Sequence, residues 1–211
     1  QPQYTDNVEL THTFMGMINT TVGYSHVKDY ATQTTDTTGS ATFVQQKNLA
    51  KQEIISFNIG SPTPIRKWWN GYANFWYNYQ MFSGIVGANK VKQEIPSYGA
   101  YLQQSFTIGK GFTAEVSGWF NGPSIWGGTW KTKSQGAVDA GIQKQLLNKT
   151  ATIKLTATDI FHTAPWKANN NFGGLYIKGS GSWESQTVRL SFSWRFGSNQ
   201  IKSSRERQTG L

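Results

Sequence analysis

Three histidines, His12, His26 and His162, are the first residues to test for catalysis or metal binding. They stand far apart, in no HExxH pair and at no ligand spacing, so they read as interface or loop residues. The chain has no cysteine, hence no thiolate metal site and no disulfide framework. Gly109-Lys-Gly111 lacks the longer glycine motif and the following helix of a phosphate loop. Paired carboxylates at catalytic spacing are not recognisable. A serine hydrolase would need a serine, a histidine and an acid or amide converging in space, which the sequence neither shows nor excludes. The expectation is a protein that is not an enzyme, with no cofactor and no metal.

Two other sets of residues carry a different chemistry. Glu9, Glu115, Asp139, Lys154, Arg189 and Arg195, with Trp76, fall on the polar side of alternating segments. They would line a charged lumen that contacts a plug or a substrate, or they would hydrate a wall and pair across strands. Trp126, Trp130, Trp166 and Trp183 fall in or near long polar links. Indole faces there would stack on a sugar or peptide ligand, or anchor in an aromatic belt at a membrane interface.

The elements that must position these residues are strands. In Gln186–Phe196, Val188, Leu190, Phe192, Trp194 and Phe196 share one face, and Arg189, Ser191, Ser193 and Arg195 share the other. The same alternation runs through Asn7–Phe14, from Ile18 to Tyr24, Ile55–Ile59, Trp69–Met81, Tyr98–Ile108, Phe112–Asn121, Val138–Leu146 and Ile153–Thr158. Gln104 is a polar exception on an apolar face. Gly60-Ser-Pro-Thr-Pro64 reads as a turn, because proline cannot continue a ladder. Gly122–Trp130 reads as a loop, Phe161–Asn171 as irregular, and Leu175–Phe196 as one long final strand. That makes about nine antiparallel strands, with no sustained helical period.

Composition helps to decide between lipid and a soluble core. Hydrophobic residues reach only 37% while aromatics reach 14% and glycines number 22, a balance that suits strands with one polar face. No run approaches the ~18 apolar residues of a membrane helix, but a barrel strand needs only ~9–11 alternating residues. Links at Met15, Gly60, Gly109 and Leu147 are short, and those near Asp36, Asn89, Gly127 and Asn169 are longer. Aromatic residues gather near strand ends, in the two belts of an outer-membrane barrel. A soluble sandwich or lipocalin-like barrel also alternates, but its hidden face must fill a core, and here that face carries Gly71, Ala73, Ala114 and Gly118. The charge of +9 is placed partly in Lys202, Arg205 and Arg207, and reads as a solvated tail with no nucleic-acid partner.

The C-terminal residues go beyond pattern. Leu155-Thr-Ala-Thr-Asp-Ile-Phe-His-Thr163, Trp166, Gly173-Gly-Leu-Tyr-Ile-Lys-Gly-Ser-Gly-Ser-Trp-Glu-Ser185, Val188–Phe196 and the Thr-Gly-Leu end of Arg205–Leu211 resemble the closing segment of one family. This is the outer membrane protein β-barrel family of Bacteroidota, whose members are TonB-dependent receptor-like. The resemblance covers roughly the last 60 residues in detail and the upstream strands in rhythm. It implies an all-β antiparallel meander of about nine long strands, the C-terminal part of a transmembrane outer-membrane β-barrel of ~22 strands with the plug domain absent. Residues 1–197 would be barrel wall and 198–211 a basic periplasmic tail. Trp194 and Phe196 would form the terminal signal read by the barrel-assembly machinery. The implied partners are the bilayer of a Gram-negative outer membrane, that machinery, the TonB system through the missing N-terminal part, and a surface lipoprotein. The implied function is uptake of a nutrient through a plugged barrel. The alternatives are a structural or adhesive barrel, a soluble binding module and a barrel enzyme.

Overall fold

The computed structural model describes residues 2–38, 41–86, 89–126, 130–172 and 175–196. The expected tail, 198–211, lies outside them, as do Gly127 and Gly173. The strands are β1 (Tyr4–Phe14), β2 (Ile18–Thr38), β3 (Ala41–Arg66), β4 (Trp69–Val86), β5 (Asn89–Gly109), β6 (Phe112–Asn121), β7 (Ser124–Trp126), β8 (Trp130–Thr132), β9 (Gln135–Leu146), β10 (Ala151–Thr158), β11 (Trp166–Phe172), β12 (Leu175–Gly181) and β13 (Thr187–Trp194). No helix occurs among the described residues.

Nine strands form one sheet in the order β1-β2-β3-β4-β5-β6-β9-β10-β13, every pair antiparallel. It is a meander, interrupted twice by short hairpins. These hairpins, β7–β8 and β11–β12, join each other through β8 and β11 into a second, four-stranded sheet. The nine-stranded sheet does not close: β1 and β13 are its two edges.

Register ties the alternating patterns of separate strands into two continuous faces. Residues directly opposite each other share a face, and a slip of one residue would exchange the faces. Leu10, Val22, Phe57, Tyr77 and Tyr98 form one cross-strand row. Trp69, Phe106, Ala114, Ile142, Leu155 and Leu190 form another over six strands. On the opposite face Thr11, Thr21, Asn58, Trp76, Gly99, Asn121 and Gln135 line up from β1 to β9. One face is therefore apolar across the whole sheet and the other polar.

The apolar face covers nothing within the molecule. Val8, Leu10 and Leu190 are 72%, 74% and 68% exposed. The accessible surface is 15216 Å², against the roughly 9,800 Å² of a compact soluble protein of this mass. Five of the seven buried apolar residues among those described are alanines spread over separate strands and links, and the largest buried apolar side chain is Phe82. A soluble sandwich, which hides this face in a core, is not what the chain forms.

Both limits of the apolar face are marked. At the end away from the short turns, the row Val8, Tyr24, Ile55, Tyr79 and Pro96 is followed by Asp6, His26, Glu53, Met81 and Glu94 on the same face. His26 pairs with Glu53 at 3.4 Å, Lys28 with Asp6 at 3.6 Å and Lys92 with Glu94 at 2.8 Å. Lys92 and then the Tyr79 hydroxyl hold the Glu94 carboxyl below the usual carboxylate range. At the other end, Trp68, Trp69 and Phe106 pack together, and Lys144 Nζ lies 4.6 Å over the Phe112 ring.

The β1–β2, β3–β4, β5–β6 and β9–β10 turns all lie at that second rim, while the links expected to be longer near Asp36 and Asn89 are instead strand, in β2 and β5. Met15 and Gly16, Lys110 and Gly111, and Leu147 to Lys149 take positive φ, which fits the tight hairpin turns that match strand twist. At the opposite rim, β2 with β3 and β4 with β5 run on far beyond the apolar rows, and the two inserted hairpins stand in place of loops. A bulge between Val27 and Tyr30, with Asp29 at φ 54°, bends the longest hairpin just above the charged row.

Several sequence expectations change. Gly60–Pro64 is not a turn: β3 runs through Pro62 and Pro64, opposite Tyr72 and Asn70, and turns at Lys67 and Trp68. The ladder from β2 ends at Asn19 opposite Gly60, so β3 beyond that point has a free side. Alternate residues direct their N–H to the same side, which lets both prolines leave that free side without donors. The final strand is two strands, β12 and β13, in different sheets, separated by 182–186. Parts of the expected loop at Gly122–Trp130 and of the irregular stretch Phe161–Asn171 are strands β7, β8 and β11, with β7 pairing β8, β8 pairing β11 and β11 pairing β12. Gln104, the polar exception on the apolar face, sits across from Gly71 and accepts a 2.7 Å hydrogen bond from Trp69 Nε1.

Candidate functional site

The second sheet has two unlike faces. Trp126 opposes Trp130, and Thr132, Ala168 and Gly179 line up beside them, as do Trp166 and Gly181. Lys131, Asn169 and Lys178 form a row on the other face, with Lys167 two residues from Asn169 on the same strand. The short hairpin β7–β8 is held by Ser124 and Thr132, whose hydroxyls lie 2.9 Å apart while the Thr132 hydroxyl also takes the Ser124 N–H. Trp166 rests against Gly181, and Trp130 and Trp166 both flank Gly179, so these two glycines clear the space that the indoles occupy.

The tryptophan face opens on a cavity of about 530 Å³. Trp126, Trp130 and Trp166 line it together with Ser97, Asn121 and Gln135. Those last three belong to the polar face of the large sheet, at the rim away from the short turns. Three of the four tryptophans expected as ligand contacts thus meet in one place. Trp183 does not line it; it is exposed in the link between β12 and β13. The cavity offers aromatic faces and neutral hydroxyl and amide groups. Gln135 Oε1 is buried with no hydrogen-bond partner among the described residues.

Asp159 anchors this arrangement and was not singled out from the sequence. It is 2% exposed and follows β10 at φ 45°. Its carboxylate accepts hydrogen bonds from the Ser185 hydroxyl at 2.6 Å, the Thr163 N–H at 2.8 Å and the Ala164 N–H at 3.2 Å. Its own N–H donates to Asp139 Oδ1 at 2.8 Å. One carboxylate therefore ties the start of the excursion to its return at Ser185. Burial pushes the Asp159 carboxyl up, but the bonds from Ser185, Thr163 and Ala164, with His162 nearby, outweigh it and hold it below the usual range. The sequence signal was the break in alternation at Asp159, which marks a residue needing a left-handed backbone.

The residues expected to line a lumen sit on the polar face, spread along it. Glu9 lies beside Gly23 at the β1 edge. Trp76 lies against Gly99, whose missing side chain makes room for the indole. Glu115 accepts a 3.0 Å bond from Gln103 Nε2. Asp139 is the acceptor for Asp159, as above. Lys154 and Arg189 oppose Ser191 and Thr156 on neighbouring strands. Arg195 follows β13, with its backbone N–H on the Thr150 carbonyl. Trp194 and Phe196 pack edge to face at 5.8 Å and are exposed. Among the described residues, no group of His, Asp and Glu could hold a metal ion.

Compared with known proteins, residues 1–194 match the model of a family described as "Outer membrane protein beta-barrel family". No curated protein and no solved structure matches the chain.

Proposed function

The chain belongs to the outer membrane protein beta-barrel family and acts in the outer membrane of a Gram-negative bacterium, and from that premise we propose that it is the C-terminal barrel wall of a TonB-dependent receptor-like transporter. Such a protein takes up a nutrient through a plugged barrel. The observation that carries the reading is the open sheet. The free backbone groups of β1 and β13 are intolerable in hydrocarbon, so further strands must complete the wall. A wall built of many strands encloses a lumen wide enough for a plug. The polar face, with Glu115, Lys154 and Arg189, lines that lumen. The tryptophan cavity lies at the outer mouth and meets the ligand first.

On this reading Trp194 and Phe196 are the signal for barrel assembly and residues 198–211 are a periplasmic tail. The TonB system engages the plug-bearing part of such a transporter, and a surface lipoprotein is a further partner. The resemblance of the C-terminal residues supports a source in Bacteroidota. A second reading, a structural or adhesive barrel without active transport, draws on the long β2–β3 and β4–β5 hairpins beyond the charged row.

Two measurements test the proposal. An antibody against Arg205–Leu211 should detect, in outer-membrane fractions, a polypeptide several times larger than 23.6 kDa. Cells carrying it should accumulate its nutrient, and collapse of the inner-membrane proton gradient should stop that accumulation. A band at the size of this chain, or uptake indifferent to the gradient, would overturn active transport and leave the adhesive reading.

A further inference from the structure

We infer that the lysine face of the second sheet is a docking surface for the phosphate-bearing head groups of lipopolysaccharide in the outer leaflet. Four lysines occupy that face. Lys133 carries the ladder one step past β8, with its N–H on the Lys167 carbonyl at 2.8 Å, so Lys133 and Lys167 are direct cross-strand neighbours. Lys131 stands two residues before Lys133, roughly 7 Å away, and Lys178 lies on β12 across from Asn169. All four are exposed, and none has an ion-pair partner among the described residues. Strands β7, β8, β11 and β12 contain no Asp or Glu. Like charges set directly opposite each other destabilise a sheet, and an anion shared between them reverses the sign.

The direction of this face selects the partner. Each strand of the second sheet adjoins a wall strand in sequence, and the order β7-β8-β11-β12 repeats β6-β9-β10-β13. The second sheet therefore carries the wall outward past the apolar band. Its tryptophan face shares a cavity with Ser97, Asn121 and Gln135 of the polar face. The lysine face is the opposite one, and so continues the side of the wall that meets lipid. Lys133 stands three residues, roughly 10 Å, before Gly136, which pairs with Phe120 near the outer limit of the apolar face. Lys133 and Lys167 also border one hollow with Phe120 and Val138 of that apolar face, which Trp119 and Ala137 reach from the polar side. A lipid with acyl chains against the apolar face and phosphates at its head meets both surfaces at once. An acidic sugar or peptide arriving from solution would meet the lysines alone. Around β1–β5, by contrast, Lys28 and Lys92 already hold the carboxylates of Asp6 and Glu94.

The inference rests on the lipid-facing wall and not on transport, so uptake does not enter its test. The intact polypeptide carrying this chain would be titrated in neutral detergent with phosphorylated lipid A and with the same lipid after phosphatase treatment. We expect the phosphorylated form to bind at least ~10-fold more tightly, and to weaken steeply from about 50 to about 300 mM salt. Lys131→Gln, Lys167→Gln and Lys178→Gln together should remove most of that preference, whereas Lys51→Gln with Lys90→Gln, on β3 and β5, should leave it. Arginine at the same three positions keeps the charge and should keep the preference. Without lipid A, Lys167→Gln should melt no earlier than the wild type, because it removes a like-charge pair; with lipid A it should gain less heat resistance than the wild type does. Equal binding of the two lipid forms, indifference to the triple change, an equal loss in the control pair, or displacement of lipid A by inorganic phosphate or a glutamate peptide at equal concentration would overturn it.

Discussion

Asp159 shows how one side chain carries a whole excursion of the chain. Its carboxyl sits below the ordinary carboxylate range through hydrogen bonds made only in the fold. Such a group stabilises fully above its unfolded value, ~3.9, and loses that contribution as pH falls through the lower folded value. Thermal unfolding in detergent should therefore decline below about pH 4 in the wild type. Asp159→Asn should unfold earlier at pH 7 and show a flatter acid limb. An unchanged acid limb would remove Asp159 from the account. Gly99 makes the opposite kind of claim. A methyl there would collide with the Trp76 indole and approach the Phe120 carbonyl to 2.6 Å. Gly99→Ala should cost about 1–3 kcal/mol by overpacking, measurable as a lower denaturant midpoint, and Trp76→Leu should recover part of it.

At the scale of the strand, one step along the chain decides between lipid and water. Leu190 and Ser191 are neighbours on β13 and face opposite ways. Leu190→Arg should cost ~2–4 kcal/mol if its row is near mid-bilayer, and Ser191→Arg far less. Folding yields into lipid vesicles would separate them, and equal yields would refute the assignment of faces. This part of the fold was legible in the sequence, because period-two alternation in Trp69–Met81 or Phe112–Asn121 needs no partner to be seen. What failed depended on partners. Pro62 and Pro64 are tolerated only because β2 stops at Ile18, and Trp130–Thr132 is a strand only because β7 and β11 lie beside it. Four tryptophans were picked out by type and position in long links. That three converge while Trp183 does not follows from the pairing of two distant hairpins, which no local pattern announces.

For the molecule as a whole, the ladder fixes a geometry that no single strand contains. Met15, at the first turn, lies four residues beyond Thr11, and Leu147 lies twelve beyond Gln135, on the same cross-strand row. Six steps from β1 to β9 separate the two, so neighbouring strands slide by roughly one and a third residues each. With ~3.3 Å per residue and ~4.8 Å between strands, that slide leans every strand about 40° from the wall's axis. The value falls in the ~35–45° range of outer-membrane barrels. A strand leaning that far needs about ten residues to cross an apolar band ~25 Å tall. Tyr98 to Ile108 on β5 fills that crossing from one aromatic rim to the other. The register of the hydrogen bonds thus sets the bilayer thickness that this wall will accept. In a markedly thinner or thicker membrane, the carboxylates of Asp6, Glu53 and Glu94 would be stranded above the interface or dragged toward the hydrocarbon.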